Sequence, residues 1–288
     1  SVRGTGIRFP ERRRKLTDHR FTGYDILRNG ERDNEQLDQS AIAFDEPSGV
    51  FSTLTELNPV PFLKLENQGS WPSCTGNAMT TCCECIGGLQ AGSWAEIPQL
   101  SRRFSWENGQ QKWIGRVDRR QGCTIAHVVL AAIQDGICTE KTVPYDFGIS
   151  NVLTGEAYRE AKQFRIQNQV EITSADEARR FLAGGYGSII CGVLWTRRMS
   201  QCSGRMTAAD VKEDGSRGGH AVPLVGFTRA GQFLLPNSWG SGWGQNGVAE
   251  VNPEAVDYLC HRPYTVMRGV TDLTGFTRKR TLTSWGMG

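Results

Sequence analysis

Four side chains with complementary chemistry stand out in this 288-residue chain: Gln68, Cys74, His220 and Asn237. A cysteine attacks a carbonyl carbon only as its thiolate, so it needs a base beside it. An imidazole can take that proton and later hand it to a leaving amine. The imidazole in turn needs a partner that fixes its tautomer and ring direction, and an asparagine amide oxygen can do this. A glutamine six residues before the cysteine can aim an amide N–H at the oxyanion that forms during acyl transfer. His220 follows Cys74 by 146 residues and Asn237 comes 17 after that, so the fold must bring distant segments together.

The elements that must position them can be read locally. Gly69 and Ser70 have turn chemistry ahead of Pro72, and proline is tolerated in a first helical turn, where its missing N–H costs nothing. From Cys74, residues Ala78, Cys82 and Ile86 share a helical stripe with Met79 and Cys83 beside it, and Gly87-Gly88 predicts the stop. Small and apolar on most sides, this helix should be buried. Cys74 then sits at a helix N-terminus, where unpaired N–H groups and the macrodipole favour a thiolate. Cys82, Cys83 and Cys85 read as core packing: neighbours on a helix point apart, and no paired Cys-x-x-Cys or clustered histidine accompanies them. No metal or other cofactor is expected.

Further along, a helix is expected near Gln99–Asn108, and Thr124 reads as the N-cap of another that Gly136 ends. His127 lies off that second helix's apolar stripe and reads as a surface or groove histidine. Ser174-Ala175-Asp176-Glu177 has the capping-box pattern, with Gly184-Gly185 as the stop. Beyond it the period changes. Ser188–Trp195, Ala221–Phe227, Gln232–Pro236 and Gly247–Val251 read as strands of a small sheet or barrel, and 199–218 as a polar surface excursion.

Taken in order, three segments resemble the papain-like cysteine peptidases. Gln68-Gly69 through Ser73-Cys74 is similar to that family's oxyanion-glutamine and nucleophile segment, and Gly219-His220-Ala221-Val222 to its histidine strand. Asn237-Ser238-Trp239-Gly240-Ser241-Gly242-Trp243-Gly244 is similar to its asparagine segment. The resemblance runs from about residue 60 to about 265. It implies an α+β fold of two lobes, a helical lobe and a β-rich, barrel-like lobe, with the active-site cleft between them. It also implies a thiol protease hydrolysing peptide bonds through Cys74, His220, Asn237 and Gln68, with peptide or protein as substrate. Trp239 resembles the tryptophan that shields the His–Asn pair, and Pro144-Tyr145 the inter-lobe segment. Gly122 matches the loop that contacts an extended substrate through its backbone; Gly192 and Ala221 are candidate pocket walls. Many secreted members carry a cysteine three residues before the nucleophile. Trp71 stands there instead, a pattern nearer the family's bacterial branch, so the disulfide that cysteine makes is not expected.

Composition sets the remaining bounds. A net charge of +3, 38% hydrophobic and 22% charged residues fit a globular protein and give no argument for nucleic acid. No run reaches membrane-spanning length. The odd count of nine cysteines, several in apolar segments, points to reduced thiols and a reducing compartment, either the cytoplasm or the interior of a large particle. Residues 1–58 form an extended arm in which Ser1–Arg20 carries seven basic side chains against two acidic ones. The helical lobe is expected over 59–165, the β-rich lobe over 166–270 and a basic tail over 271–288. The arm either wraps the chain's own body or docks onto another subunit, an assembly partner. The tail reads as a solvated extension, with an acidic docking surface as the alternative. Accordingly, the rival to the peptidase reading is a catalytically silent subunit of a larger complex, and a second rival is amide transfer by the same Cys–His chemistry.

Overall fold

Cys74–Ala91 (α1) is a helix of 18 residues, and every one of them is buried. The structure is a computed structural model, and it describes residues 54–276 apart from 96, 186 and 213–217. Most of the expected N-terminal arm, 1–53, and the last part of the basic tail, 277–288, lie outside the described residues. Two apolar clusters explain the burial of α1. Ala78, Met79, Cys82, Cys83 and Ile86 pack with neighbouring helices and with Ile190, Ala221 and Val270 of a sheet. Cys85 and Leu89, four apart on another face, pack into a second cluster that takes in strands of both sheets. The helix is thus the shared wall of two cores, and the three clustered cysteines point into different ones.

Gly87 and Gly88 do not stop this helix, as their type suggested. It continues to Ala91 and ends at Gly92, which adopts the left-handed conformation that a C-terminal glycine supplies. The pair serves packing instead: a Cβ on Gly88 would lie 2.1 Å from the Trp94 ring. Against α1 stand Arg102–Ile114 (α2), N-capped by Ser101, and Ile125–Gln134 (α3), whose N-cap is Thr124 as read from sequence. His127 is buried rather than at the surface, because the Thr124 hydroxyl that caps the helix also holds the ring through Nδ1 at 2.7 Å. Gly155–Ala161 (α4) completes the helical side.

The other side is built on two four-stranded sheets. The first has the order β1-β8-β2-β4, all antiparallel, from Ile166–Glu171 (β1), Gly187–Leu194 (β2), Gly219–Leu224 (β4) and Val266–Leu273 (β8). The second has the order β3-β7-β6-β5: Arg205–Met206 (β3), Gly226–Phe227 (β5), Phe233–Pro236 (β6) and Val248–Val251 (β7). One strand run crosses from β4 to β5 through Val225 and so joins the sheets. This is the α+β arrangement of a helical part and a barrel-like β part. Strands β1 and β8 were not legible, since IQNQVE and VMRGVTDL interrupt their apolar positions with amide, charged and glycine residues. Arg268 of β8 is buried and paired with Glu171 of β1 at 3.2 Å. The segment after Met199 is more ordered than a polar loop: it carries β3 and the short helices Arg197–Ser200 and Ala208–Val211, anchored by buried Met199, Met206 and Val211.

Close approach of α1 and α2 depends on Gly76, two residues past Cys74. A Cβ there would meet the Arg102 carbonyl at 2.3 Å and Trp106 Cβ at 2.7 Å. Gly76→Ala should therefore lower stability by about 1–3 kcal/mol, several degrees in a thermal melt. Gly155→Ala, whose Cβ would meet only an arginine side-chain end at 3.5 Å, should melt like the parent. Equal melts for the two variants would contradict this packing.

Candidate active site

Each of the four sequence-predicted residues is held by an element of known origin. Cys74 is the first residue of α1 and 1% exposed; His220 lies on β4, and Asn237 follows β6. The backbone N–H groups of Ala221, the residue next to His220, and of Thr75 act on the Cys74 thiol and partly favour its ionisation. Antiparallel register sets Ala221 opposite Gly192 and His220 opposite Val193 on β2, so the histidine strand is braced by a central strand of its sheet.

The amide orientations follow from donors that have no choice. The backbone N–H of Ser238 can only donate, and it meets Asn237 Oδ1 at 2.8 Å. The same oxygen lies 2.8 Å from His220 Nε2, so Nε2 carries the proton and donates. Nδ1 is then the basic nitrogen of the ring. Gln68 is fixed by the same logic. The Ser238 hydroxyl donates to Gln68 Oε1 at 2.6 Å, and Gln68 Nε2 donates to the Trp71 carbonyl at 2.7 Å. The Gln68 backbone N–H also donates to the Ser238 carbonyl at 2.8 Å.

Aromatic rings wall the imidazole. Trp239 lies 4.8 Å from the His220 ring at a tilt of 33°, and Trp195 meets it edge-on at 4.7 Å. The result is a dry site. Burial pushes the Cys74 thiol up to about 11, only partly opposed by backbone N–H groups including that of Ala221. Burial also pulls His220 down to about 4, against the hydrogen bond to Asn237. The thiolate expected from the helix N-terminus is therefore not favoured by position alone: desolvation outweighs the N–H groups.

Of the candidate substrate contacts, Gly192 and Ala221 are cross-strand neighbours. Ile125 at the start of α3 sits over Gly192, where a Cβ would meet its Cγ1 at 2.7 Å. Gly122 is buried, and its carbonyl accepts from Gln110 at 2.9 Å. Trp239 is half-buried. Sequence reasoning passed over the parts of Ser238 and Trp195. Both lie in or beside recognised segments, but only the three-dimensional contacts reveal what they hold. Among the described residues no group of three His, Cys, Asp or Glu side chains is arranged to hold a metal ion, and none of the cysteines is joined in a disulfide.

Comparison with known proteins decides the family. The model of the papain family cysteine proteases matches residues 109–262, more than half of the chain. The chain belongs to the papain family of cysteine proteases. The matched span contains His220 and Asn237 and begins after Gln68 and Cys74. An uncharacterized peptidase C1-like protein of Acanthamoeba polyphaga mimivirus is 29% identical over 229 residues, covering 72% of this chain and 70% of the viral protein. Among solved structures, the cysteine protease xylellain of Xylella fastidiosa superposes with a TM-score of 0.63 at 20% identity, over 90% of this chain and 99% of that one. The Carica candamarcensis cysteine protease superposes at 0.58 and 17% identity, over 76% and 99%. The fold is thus papain-like. No described helix is long and apolar enough to cross a membrane.

Ser238 gives this papain-family site a direct test. Ser238→Ala removes the donor that orients Gln68 but leaves the backbone N–H on Asn237. Peptide hydrolysis should fall about tenfold in kcat, the effect of one hydrogen bond of roughly 1.4 kcal/mol, while the melt drops by only a few degrees because the buried Gln68 Oε1 loses its donor. Full activity in the variant would remove Ser238 from the site.

Proposed function

We propose that this cysteine peptidase cleaves peptide bonds with Cys74 as nucleophile, His220 as acid and base, Asn237 as the group orienting His220, and Gln68 as an oxyanion donor. The observation that carries the reading is the Nε2-protonated imidazole held by Asn237 on the strand whose next residue, Ala221, shares one apolar cluster with Cys74. His220 Nδ1 takes the thiol proton as the sulfur bonds to the substrate carbonyl carbon, and the carbonyl π pair moves onto oxygen. The Cys74 backbone N–H and the second N–H of Gln68 Nε2 receive that oxyanion. On collapse the C–N bond breaks, the imidazolium protonates the leaving amine, and a thioester remains. Water then gives a proton to His220 and attacks the thioester. The thiol returns and the acid product leaves. Gly122, Gly192 and Ala221 are proposed to line the path of an extended peptide or protein substrate, with Ile125 over Gly192 narrowing it. Trp239 covers the His220–Asn237 pair and keeps their hydrogen bond out of water.

The pH profile follows from the two shifts. As pH falls through about 4, His220 takes a proton from solvent and can no longer accept one from sulfur. As pH rises through about 11, Cys74 loses its proton to solvent and no acid remains for the amine. The free enzyme's kcat/KM should therefore be a broad bell with these limbs. A single acidic limb near 6.5, the value of an exposed histidine, would contradict the buried pair.

Labelling identifies the nucleophile. Burial raises Cys82, Cys83, Cys85, Cys138, Cys191, Cys202 and Cys260, so at mildly acidic pH these thiols are slow towards an alkylating agent. Cys74 alone among them has an imidazole to accept its proton. Iodoacetamide followed by peptide mapping should find the label on Cys74, with hydrolysis lost in step. His220→Ala should move that reactivity to alkaline pH. Folded protein with no selective label on Cys74 would favour the silent-subunit reading.

A further inference from the structure

We propose that an aromatic clamp centred on Phe147, acting through Trp71 and Tyr145, positions Gln68 for the reaction where no covalent tie is present. This rests on Gln68 being the oxyanion donor. One N–H of Gln68 Nε2 goes to the Trp71 carbonyl, so the direction of the other is set by where that carbonyl stands. Trp71 is held from both sides. Its backbone N–H closes a turn onto the Gln68 carbonyl at 3.3 Å, and its ring stacks on Phe147 at 3.9 Å with 19° between the planes.

Phe147 is fixed in turn. Tyr145 meets its ring edge-on at 5.0 Å, Trp106 of α2 does so at 6.2 Å, and the Arg103 guanidinium lies 4.9 Å from its centroid. Arg103 is fully buried, pairs with Glu107 at 2.8 Å, and donates to the backbone carbonyls of Asp146 and Ile149. The same segment reaches the far end of the oxyanion loop. The Tyr145 hydroxyl donates to the Gln68 carbonyl at 3.0 Å, so at 2.6 Å it accepts from the Ser73 hydroxyl. Residues 144–149 therefore grip the loop between Gln68 and Ser73 at its backbone and at its one large ring. Every link is a ring contact or hydrogen bond, so the grip is indifferent to thiol reductants. Trp71 and Tyr145 are positioning residues: they touch neither the sulfur nor the imidazole in any contact described above.

The test separates positioning from general support of the fold. Hydrolysis of a peptidyl aminomethylcoumarin needs an oxyanion site, whereas alkylation of Cys74 by iodoacetamide forms no oxyanion. Both are measured in Gln68→Ala, Trp71→Ala, the double variant, Trp71→Phe and Tyr145→Phe. Gln68→Ala should lower kcat about 100-fold. Trp71→Ala should lower kcat about tenfold with KM and alkylation rate within twofold of the parent, Trp71→Phe should restore most of it, and the double variant should match Gln68→Ala. Tyr145→Phe, which removes one oxygen and keeps the ring, should show a smaller loss of the same kind. Losses that multiply in the double variant overturn the clamp, as does an alkylation rate that falls in parallel or a Trp71→Ala enzyme as active as the parent. If Gln68→Ala itself hydrolyses normally, the oxyanion assignment fails and the clamp fails with it; a 100-fold loss there beside an unaffected Trp71→Ala overturns the clamp alone.

Discussion

The contact between Gln68 and Ser238 joins the two halves of the site. Gln68 belongs to the loop leading into α1, and Ser238 to the loop that follows β6. Ser238 uses all three of its polar groups there: the N–H on Asn237, the hydroxyl on the Gln68 side chain, and the carbonyl on the Gln68 N–H. The Ser238 N–H sets which end of the Asn237 amide faces it, and the Trp71 carbonyl, opposite the Ser238 hydroxyl, does the same for Gln68. In the proposed mechanism Asn237 presents oxygen to the imidazole, and Gln68 presents nitrogen to the oxyanion. Each bond contributes only about 1 kcal/mol net, but a buried amide turned the wrong way leaves groups unsatisfied at about 1–3 kcal/mol apiece. The polarity of the site is thus locked more firmly than its bond count suggests.

Burial gives the chemistry its character. With Cys74 at 1% and His220 at 2% exposure, neither can carry a lone charge cheaply. Burial removes the water that would stabilise an isolated thiolate, and nearby backbone N–H groups offset only part of that loss. In the proposed mechanism, proton transfer from Cys74 to His220 creates opposite charges in a buried medium where their attraction is strong. The tryptophans around His220 preserve that medium. Activation therefore depends on the pair as a unit.

Much of this was legible in the sequence, and the failures have physical causes. The helix beginning at Cys74 was readable because small apolar residues recur on every face, and the Thr124 and Ser174 caps because a hydroxyl precedes each apolar run. Gly87-Gly88 misled because glycine serves close packing as well as termination, and only the position of Trp94 distinguishes the two. His127 misled because a capping hydroxyl can draw a polar ring into the interior. The strand 166–171 was hidden because its core contacts fall on two residues among amides. Gln68, Cys74, His220 and Asn237 were proposed from residue type and order. Ser238, Trp195, Trp71 and Tyr145 act through contacts across up to 170 residues of chain, which no local pattern encodes.

The central claim is that Gln68 and the Cys74 N–H meet the oxygen of the intermediate while His220, held by Asn237, handles the proton. A crystal structure of the protein with a peptide aldehyde tests it most directly, because the hemithioacetal resembles that intermediate. The account predicts a bond from Cys74 Sγ to the aldehyde carbon, with its oxygen within about 3.1 Å of both Gln68 Nε2 and the Cys74 nitrogen. An adduct on another thiol, or an oxygen turned away from Gln68 with no donor in reach, would contradict it.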